Sequence, residues 1–264
     1  MAAPGAAPVS VLVLRAAGTN CDRETAVAFE LAGARADRVH VNRIREDPAR
    51  LDRYQVLALP GGFSYGDDLG AGKVLANELR FFLADALARF VDAGKLVIGI
   101  CNGFQVLVKA GLLPALEGRG RVEATLAGND SNRFEARWTH LDCATDRTPF
   151  LRRGDRLHLP VAHGEGKLVC RDPATLARLE ASGQVCLRYV DGAGRPGAYP
   201  VNPNGSEGDI AGLCDPTGRI FGLMPHPERH VEFHHHPRWT REGRGPGDEG
   251  DGLRVFRNAV AHFR

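Results

Sequence analysis

The chain has 264 residues, of which 43% are hydrophobic and 25% are charged, and its formal net charge is +2 at pH 7. This composition is that of a soluble globular protein long enough for a large core, and the balanced charge indicates neither a nucleic-acid partner nor a membrane partner. Six cysteines without a C-x-x-C spacing favour a reducing compartment, so we expect a cytoplasmic protein.

The two ends of the chain frame one predicted domain. Residues 1–8 contain alanine, glycine and proline but lack the basic and apolar regions of a signal peptide, so we predict a disordered tail. Residues 9–264 are expected to form a single domain with a loop insertion at about residues 230–252. Its second part, residues 240–252, is rich in glycine and charge, and we predict that it is mobile.

Strands and helices alternate in the first half of the chain. In chain order we predict a strand at residues 9–14, a helix that ends near Gly33, a strand around Val39 and Val41, a strand at residues 56–59, a long helix from Leu75 to Phe90 and a strand that ends at Cys101. This βαβ order predicts an α/β fold, a doubly wound and mostly parallel sheet with helices on both faces, as in flavodoxin-like proteins.

The second half of the chain has a different pattern, which predicts antiparallel additions to the sheet. The predicted elements are alternating strands at residues 134–138 and 157–161, a short helix at residues 173–181, strands at residues 210–214 and 220–224, and a final amphipathic helix that carries Leu253, Phe256, Val260 and Phe263.

A cysteine directly follows a strand that is expected to be buried on both faces. Residues 95–100 form this strand, and helical spacing begins at Asn102. Gly99 and Gly103 stand two positions to either side of Cys101, which is the spacing of a nucleophile elbow with cysteine in place of serine. The N-terminus of a helix favours the reactive thiolate. The alternative is a structural cysteine at the end of a strand.

A histidine that can act as the base for this cysteine follows another apolar strand. His226 and Glu228 are separated by one proline, and in extended backbone both side chains can point to the same side. The proline restricts the backbone of the histidine and stiffens the arrangement. We therefore predict a base, His226, oriented by Glu228. The competing interpretation is a turn with a surface ion pair to Arg229.

Consecutive glycines, Gly61 and Gly62, follow the strand at residues 56–59. Glycine allows a backbone N–H to face a ligand with no side chain in the way. Together with the N–H of Asn102 at a helix start, such a group would form an oxyanion hole. A phosphate-binding loop is the alternative, but the sequence contains neither G-x-x-x-x-G-K-[ST] nor G-x-G-x-x-G.

Four segments together resemble the signatures of class I glutamine amidotransferases. They are Pro-Gly-Gly-Phe-Ser-Tyr-Gly-Asp at 60–67, Gly-Ile-Cys-Asn-Gly-Phe-Gln at 99–105, Pro-Val-Ala-His-Gly-Glu-Gly-Lys at 160–167 and Met-Pro-His-Pro-Glu-Arg at 224–229. Gly-Thr-Asn-Cys-Asp at 18–22 and Asp-Ile-Ala-Gly at 209–212 extend the resemblance over nearly the whole chain. The extended motifs, Gly-Phe-Ser-Tyr-Gly-Asp within 60–67 and Ala-His-Gly-Glu-Gly within 160–167, are similar to those of the glutaminase subunits of phosphoribosylformylglycinamidine synthases, which act in purine biosynthesis.

The resemblance implies a reaction and roles for five residues. Cys101 would attack the side-chain amide of L-glutamine, His226 would transfer the proton, and Glu228 would orient His226. The backbone N–H groups of Gly62 and Asn102 would hold the oxyanion. Ammonia would then leave, and water would hydrolyse the glutamyl thioester to glutamate.

The resemblance also implies substrate contacts and partners. Gln105, Gly61 and Phe63 would bind glutamine, and His163 would lie at the active-site mouth or contact a partner. Ammonia would pass through an internal channel to a separate synthetase subunit, which uses ATP and Mg²⁺ to activate formylglycinamide ribonucleotide. A small third subunit bridges the two in many members. The sequence contains no ATP-binding motif, so we expect no cofactor in this chain.

Two other groups of residues carry side chains that can bind a metal or react. Histidines 234–236 lie near His226 and His230, but adjacent histidines point in different directions and no carboxylate or cysteine has ligand spacing. We therefore expect no metal site there and favour a solvated loop or a docking surface. Cys21 stands at a predicted helix start without flanking glycines, and we expect it to be packed or at an interface.

Three rival functions differ from a subunit of this synthase. A class I glutaminase of another synthase would serve a different acceptor subunit. A stand-alone cysteine hydrolase would act on peptides or small amides without a partner. A catalytically silent binding subunit is disfavoured because Cys101, His226 and Glu228 are all present. Partner-stimulated release of ammonia from glutamine would separate these functions.

Overall fold

The computed structural model describes residues 7–241, 243 and 245–264. The predicted tail at residues 1–8 lies outside the described residues except for its last two positions, which are exposed. The described strands are β1 (Ser10–Arg15), β2 (Arg35–His40), β3 (Val56–Leu59), β4 (Leu96–Ile100), β5 (Ala124–Gly128), β6 (Glu135–Cys143), β7 (Arg156–His163), β8 (Glu165–Cys170), β9 (Val185–Val190), β10 (Ile210–Cys214) and β11 (Ile220–Leu223). The described α-helices are α1 (Asp22–Leu31), α2 (Val41–Glu46), α3 (Lys73–Phe82), α4 (Ala84–Asp92), α5 (Asn102–Lys109), α6 (Pro173–Ser182) and α7 (Leu253–Ala261).

Nine of the described strands form one sheet in the order β2-β1-β3-β4-β11-β10-β9-β6-β7. The pairs from β2 through β4 to β11 are parallel. The pairs from β11 through β10, β9 and β6 to β7 are antiparallel. The predicted doubly wound α/β sheet with antiparallel additions is therefore confirmed. In addition, β5 and β8 form a separate antiparallel pair.

The central strands are buried on both faces. Every residue of β3, β4, β10 and β11 is buried, which explains why these segments are continuous apolar runs in the sequence. In contrast, β7 and β8 alternate between buried residues and residues that are exposed or half-buried. This alternation is typical of antiparallel strands with one face towards the core.

Helices cover both faces of the sheet because the chain winds outward from β1 in two directions. The crossover from β1 through α1 to β2 runs one way along the sheet, and that from β3 through α3 and α4 to β4 runs the other way. Right-handed crossovers in opposite directions place their helices on opposite faces. On the first face α1 packs against α7, where the rings of Phe29 and Phe256 meet edge-on at 4.9 Å between centroids.

The strand order reverses at β1, and the loops that follow β1 and β3 meet at this edge of the sheet. A bridge between Thr19 and Gly62 joins these two loops. The turn after β4 carries Cys101, and the turn after β11 carries His226. Because β4 and β11 are parallel neighbours, with Gly222 opposite Gly99, both turns leave the sheet on the same side.

The predicted long helix from Leu75 to Phe90 is wrong in one respect, because the structure divides it into α3 and α4. Leu83 leaves the helical region between them, with φ −124° and ψ 5°. Phe82 is 59% exposed at the end of α3. No glycine or proline marks the break in the sequence, so tertiary packing overrides the local helix pattern here.

The other differences concern short elements. The prediction of Val41 in the second strand is wrong, because Val41 begins α2. The His40 side chain caps that helix by accepting the Asn42 N–H at 3.2 Å. The strands β5, β8 and β9 are additional to the predicted elements. In the described part of the chain, no helix is both long and apolar enough to cross a membrane.

Candidate active site

Cys101 occupies a strained position in the turn between β4 and α5. Its φ of 51° and ψ of −104° lie outside the regions that L-residues ordinarily adopt. A Cβ atom at Gly103 would collide with the Leu59 carbonyl oxygen, and one at Gly99 would collide with the side chain of Leu107. The two glycines therefore let β3, β4 and α5 approach closely enough to hold the turn, which has the layout of a nucleophile elbow.

The thiol of Cys101 is held at the N-terminus of α5, and the residue is 5% exposed. The backbone N–H of Cys101 donates to the Leu223 carbonyl at 2.8 Å, and its own carbonyl accepts from the Gln105 N–H at 3.0 Å. The thiol donates to the Ala162 carbonyl over 3.7 Å, so the end of β7 closes one side of the site. The first N–H groups of α5 have no acceptor within the helix and favour negative charge nearby.

His226 and Glu228 form a buried pair just after β11. The Nδ1 atom of His226 lies 2.6 Å from Oε1 of Glu228, and the side chains are 2% and 0% exposed. The backbone N–H of His226 donates to the Pro160 carbonyl at 2.8 Å, which fixes the turn against β7. A turn with a surface ion pair to Arg229 is therefore the wrong interpretation of this segment, because the Glu228 carboxylate is buried against His226.

This arrangement favours a proton on His226. Burial lowers the pKa of His226, but the Glu228 carboxylate and the Cys101 thiol raise it, and the pKa lies well above its ordinary value. Because Nδ1 is hydrogen-bonded to the Glu228 carboxylate, Nε2 is the nitrogen that can exchange a proton with Cys101. This Nε2 atom is buried, and hydrogen bonding with the Cys101 and Cys21 side chains raises the pKa of the imidazole.

The two segments predicted for the oxyanion hole adjoin each other. Gly62 has a φ of 145°, and a Cβ atom there would lie 2.8 Å from the Gly18 carbonyl oxygen, so only glycine fits. Asn102 is the first residue of α5, and its N–H has no acceptor within the helix. Its side chain accepts the Ser64 N–H at 3.1 Å, which ties the glycine loop to the helix.

A cavity of about 230 Å³ adjoins Cys101. Its lining contains the predicted residues Gly62, Phe63, Gln105 and His163, together with Asp67, Ala71, Phe134, Ala162, Gly164 and Glu165. Gly61 lies behind the cavity instead, where a Cβ atom would be 2.7 Å from Cε1 of His226. Three larger surface cavities, of about 410, 430 and 390 Å³, contain none of these residues.

Gln105 organises one wall of the cavity. Its Oε1 atom accepts from Asn102 Nδ2 at 2.9 Å, and its Nε2 atom donates to the Glu165 carbonyl. Asn102 Nδ2 also donates to Oδ1 of Asp67 at 3.2 Å. Burial raises the pKa of Asp67, although hydrogen bonds from Gly72 and Asn102 oppose the shift. The cavity lining therefore holds two carboxylates, those of Asp67 and Glu165, and the Glu165 carboxylate already pairs with the Lys109 ammonium at 3.6 Å.

His163 lies in the cavity wall, and the whole residue is 2% exposed. Its Nδ1 atom is 3.1 Å from Oδ1 of Asn129. Asn129 Nδ2 donates to the carbonyls of His163 and Arg133, and Oδ1 also accepts from the Gly166 N–H, so Nδ1 of His163 is the donor. Burial and the nearby His226 lower the pKa of His163 to about 3, which keeps the imidazole neutral.

Cys21 was predicted to be packed or at an interface, but the sequence did not place it beside His226. Its side chain is fully buried, as the prediction of packing requires. Its Sγ atom, however, lies within 4.8 Å of ligand atoms of both His226 and Glu228. Two signals in the sequence point to this position: Cys21 follows the first strand, whose carboxyl end reaches the same edge of the sheet as Cys101, and it belongs to the segment at 18–22 that shares in the resemblance.

Histidines 234–236 do not share one environment. His236 is 1% exposed and its ring packs 4.5 Å from that of Trp138, so the prediction of a solvated loop is wrong for this residue. His234 and His235 are exposed, and potential ligand atoms of these two and of Glu232 lie within 4.8 Å of one another. Nε2 of His234 already pairs with the Glu232 carboxylate at 3.1 Å. The expectation that no metal binds here stays a prediction.

Comparison with known proteins agrees with this geometry. The family described as the CobB/CobQ-like glutamine amidotransferase domain matches residues 8–263. The phosphoribosylformylglycinamidine synthase subunit PurQ of Dehalococcoides mccartyi is 52% identical over 258 residues, which cover 97% of this chain and 98% of the relative. The subunit of the same name from Archaeoglobus fulgidus is 40% identical over 270 residues and 97% of both chains.

Solved structures give the same result. A chain in the structure of PurLQS from Thermotoga maritima matches with a TM-score of 0.73 and 33% identity, over 98% of this chain and 100% of that one. A glutamine amidotransferase from Thermotoga maritima shares the fold, with a TM-score of 0.54 at 17% identity over 98% of each chain. The chain therefore belongs to the glutamine amidotransferase family and, within it, to the PurQ subunits of phosphoribosylformylglycinamidine synthase.

Proposed function

We propose that Cys101, His226 and Glu228 carry out the glutaminase reaction of this family member, and that the ammonia passes to a synthetase subunit. One observation carries the proposal. The strained Cys101 adjoins a cavity, and the buried His226–Glu228 pair lies close enough to Cys101 for the thiol to raise the pKa of the imidazole. This is the nucleophile, base and orienting group that covalent acyl transfer needs.

In the first half of the reaction, Sγ of Cys101 attacks the side-chain amide carbon of glutamine. The raised pKa of His226 places the thiol proton on the imidazole, so the sulfur attacks as a thiolate and the amide oxygen becomes negatively charged. The N–H groups of Gly62 and Asn102 are placed to stabilise that charge. The C–N bond then breaks, the leaving nitrogen takes the proton from His226, and ammonia departs from a glutamyl thioester.

In the second half, water attacks the thioester carbon and gives a proton to His226. The C–S bond breaks, glutamate leaves, and the proton stays on His226 beside the Cys101 thiolate. Glu228 remains a carboxylate throughout, because its task is to orient His226 and to stabilise the imidazolium. No cofactor takes part in either half.

The cavity suits a small amino acid better than a peptide. Its volume of about 230 Å³ lies below the range of about 300–1,000 Å³ that is usual for pockets of drug-sized ligands. Asp67 offers negative charge for an α-ammonium group, whereas the Glu165 carboxylate already pairs with Lys109 at 3.6 Å, and we propose that Gln105 and Phe63 form the remaining substrate contacts. This charge disfavours the alternative of a general amide or peptide hydrolase.

The partner is inferred from the relatives and from the mouth of the cavity. The relatives carry the name of a synthase subunit, and the solved structure is described as PurLQS. Phe63 and Phe134 line the cavity yet are 47% and 54% exposed, which leaves an apolar rim for a partner to cover. We infer a synthetase subunit that holds ATP and Mg²⁺, and a small bridging subunit as a third component.

Reconstitution of the complex tests this function. Glutamate release from glutamine is measured with the isolated chain and after addition of the synthetase and bridging subunits. Formation of formylglycinamidine ribonucleotide is measured in the same mixtures with ATP. We expect slow hydrolysis by the isolated chain and marked stimulation by the partners. Equal glutamate release with and without partners, or stimulation only by the synthetase of another pathway, would contradict the assignment.

The cellular compartment is part of the proposal. All six cysteines are free thiols, and all are buried in the structure. Free thiols persist in a reducing environment, which supports a cytoplasmic location.

A further inference from the structure

Cys21 lies next to the catalytic base but takes no part in the reaction described above. Its Sγ atom accepts a hydrogen bond from Nη2 of Arg229 at 3.1 Å and donates to Oδ1 of Asn20 at 3.3 Å. Ligand atoms of Cys21, His226 and Glu228 all lie within 4.8 Å of one another. A cation and a sulfur atom therefore lie beside the buried His226–Glu228 pair.

The backbone holds Cys21 firmly in this place. Its N–H donates to the Gly61 carbonyl at 3.2 Å, and its carbonyl accepts from both the N–H and the hydroxyl of Thr25, at 3.1 and 2.7 Å. A Cβ atom at Gly61 would lie 3.3 Å from the Cys21 sulfur and 2.7 Å from Cε1 of His226. The missing side chain at Gly61 thus provides the space in which the sulfur and the imidazole pack.

Arg229 is placed just as firmly. It belongs to the same short turn as His226, where its backbone N–H donates to the His226 carbonyl at 3.3 Å. Its guanidinium reaches the Cys21 sulfur and lies 3.8 Å from the Glu24 carboxylate. The cluster of Cys21, His226 and Glu228 has the residue types of a metal site. However, the Arg229 guanidinium already donates a hydrogen bond to the sulfur, and its positive charge repels a metal cation there.

We propose that Cys21 and Arg229 are positioning residues that hold His226 in line with Glu228, and that the Cys21 sulfur favours the imidazolium form of His226 during the reaction. The sulfur is large and polarisable, and it packs against the imidazole edge that becomes more positive on protonation. Arg229 fixes the direction of the sulfur lone pairs. The proposal rests on the proposed function, because it takes His226 as the catalytic base.

The electrostatics of the site agree with this geometry. Burial lowers the pKa of His226, and neighbouring groups raise it. Glu228 and Cys101 make the larger contributions, and the Cys21 thiol adds to them. Loss of the sulfur should therefore reduce the affinity of His226 for its proton without removing the base or the nucleophile.

The experiment uses the full chain in complex with its synthetase partner. Glutamine-dependent and ammonium-dependent synthesis are measured across pH for the wild type and for C21A, C21S, R229M and R229K. C143A is the matched control, because Cys143 is also buried, at 1% exposure, but lies in β6 away from the cavity lining. Ammonium-dependent activity and thermal unfolding report whether each variant is folded and assembled.

We expect C21A and R229M to lower the glutamine-dependent kcat by about tenfold, with a change in KM of less than about threefold. For C21A, the alkaline limb of the kcat/KM profile, which reports loss of the imidazolium proton, should move to lower pH. C21S keeps both hydrogen bonds of the side chain and R229K keeps the charge, so both should recover part of the loss. C143A should follow the wild type.

Three outcomes would overturn the proposal. The first is C21A with the kcat and pH profile of C143A. The second is a lower kcat with an unmoved alkaline limb, which a merely structural defect would give. If C21A does not fold, the test rests on C21S and R229M. The third outcome that would overturn the proposal is a wild-type kcat and a wild-type pH profile for both of these variants. A C101A variant that still used glutamine would contradict the proposed function instead, so the two failures are distinguishable.

Discussion

Gly99 of β4 and Gly222 of β11 lie opposite each other in a parallel pair, and this register brings the proposed base, His226, to the proposed nucleophile, Cys101. Cys101 follows Gly99 by two residues and turns sharply into α5. His226 follows Gly222 by four residues, in a turn that Pro160 anchors through the His226 N–H at 2.8 Å. The proposed catalytic pair therefore depends on the contact between two strands that are distant in the sequence.

The first prediction concerns the orienting carboxylate. Glu228→Gln keeps the size of the side chain, but its amide can donate to Nδ1 of His226 and so favour the wrong tautomer. We expect the glutamine-dependent kcat to fall by roughly 100- to 10,000-fold, with little change in KM. Glu117→Gln is the control, since Glu117 pairs with Arg171 at 2.9 Å outside the cavity. A fall of less than threefold in steady-state kcat would argue against the role of Glu228.

The second prediction concerns the elbow. Gly103→Ala places a Cβ atom against the Leu59 carbonyl, which is backbone and cannot rotate away. We expect the free energy of unfolding to fall by about 1–3 kcal/mol and glutaminase activity to fall with it. Gly128→Ala is the matched control, because a Cβ atom there meets nothing within 4 Å. Urea unfolding curves measure both variants, and equal midpoints would show that the turn can relax.

The third prediction concerns acid stability. The pKa of His163 is about 3 in the folded protein, compared with 6.5 as its ordinary value. Between these pH values the unfolded chain binds a proton that the folded protein excludes, so the folded state loses stability as the pH falls through this window. His163→Gln removes this contribution. The free energy of unfolding should then fall less steeply on acidification, by up to about 1.4 kcal/mol per pH unit.

Urea unfolding at several pH values between about 7 and 4 measures this slope. The exposed His262 provides a control substitution, His262→Gln, which should follow the wild type. Parallel curves for His163→Gln and the wild type would show that burial of this imidazole does not govern its titration.

The spacing of neighbouring residues was enough to predict the turn at Cys101 and the pairing of His226 with Glu228. The glycines around Cys101 and the single proline between His226 and Glu228 act within one turn each, so their effect can be read from neighbouring residues. The parallel strands β3 and β4 were also predictable, because complete burial requires continuous apolar runs.

Contacts between distant segments could not be predicted in this way. Cys21 and Arg229 are 208 residues apart, and only the strand order brings their side chains together. The break at Leu83 and the burial of His236 likewise depend on packing by other elements. Asn129, which sets the tautomer of His163, comes from a segment with no motif that we identified in the sequence.

The most direct test of the account is Cys101→Ala in the reconstituted complex, assayed with glutamine and with ammonium as nitrogen sources. The account predicts that glutamine-dependent synthesis is lost while ammonium-dependent synthesis stays at the wild-type rate, because only the nucleophile is removed. Cys170→Ala, a buried cysteine in β8, should retain both activities. Undiminished use of glutamine by the Cys101→Ala complex would contradict the account.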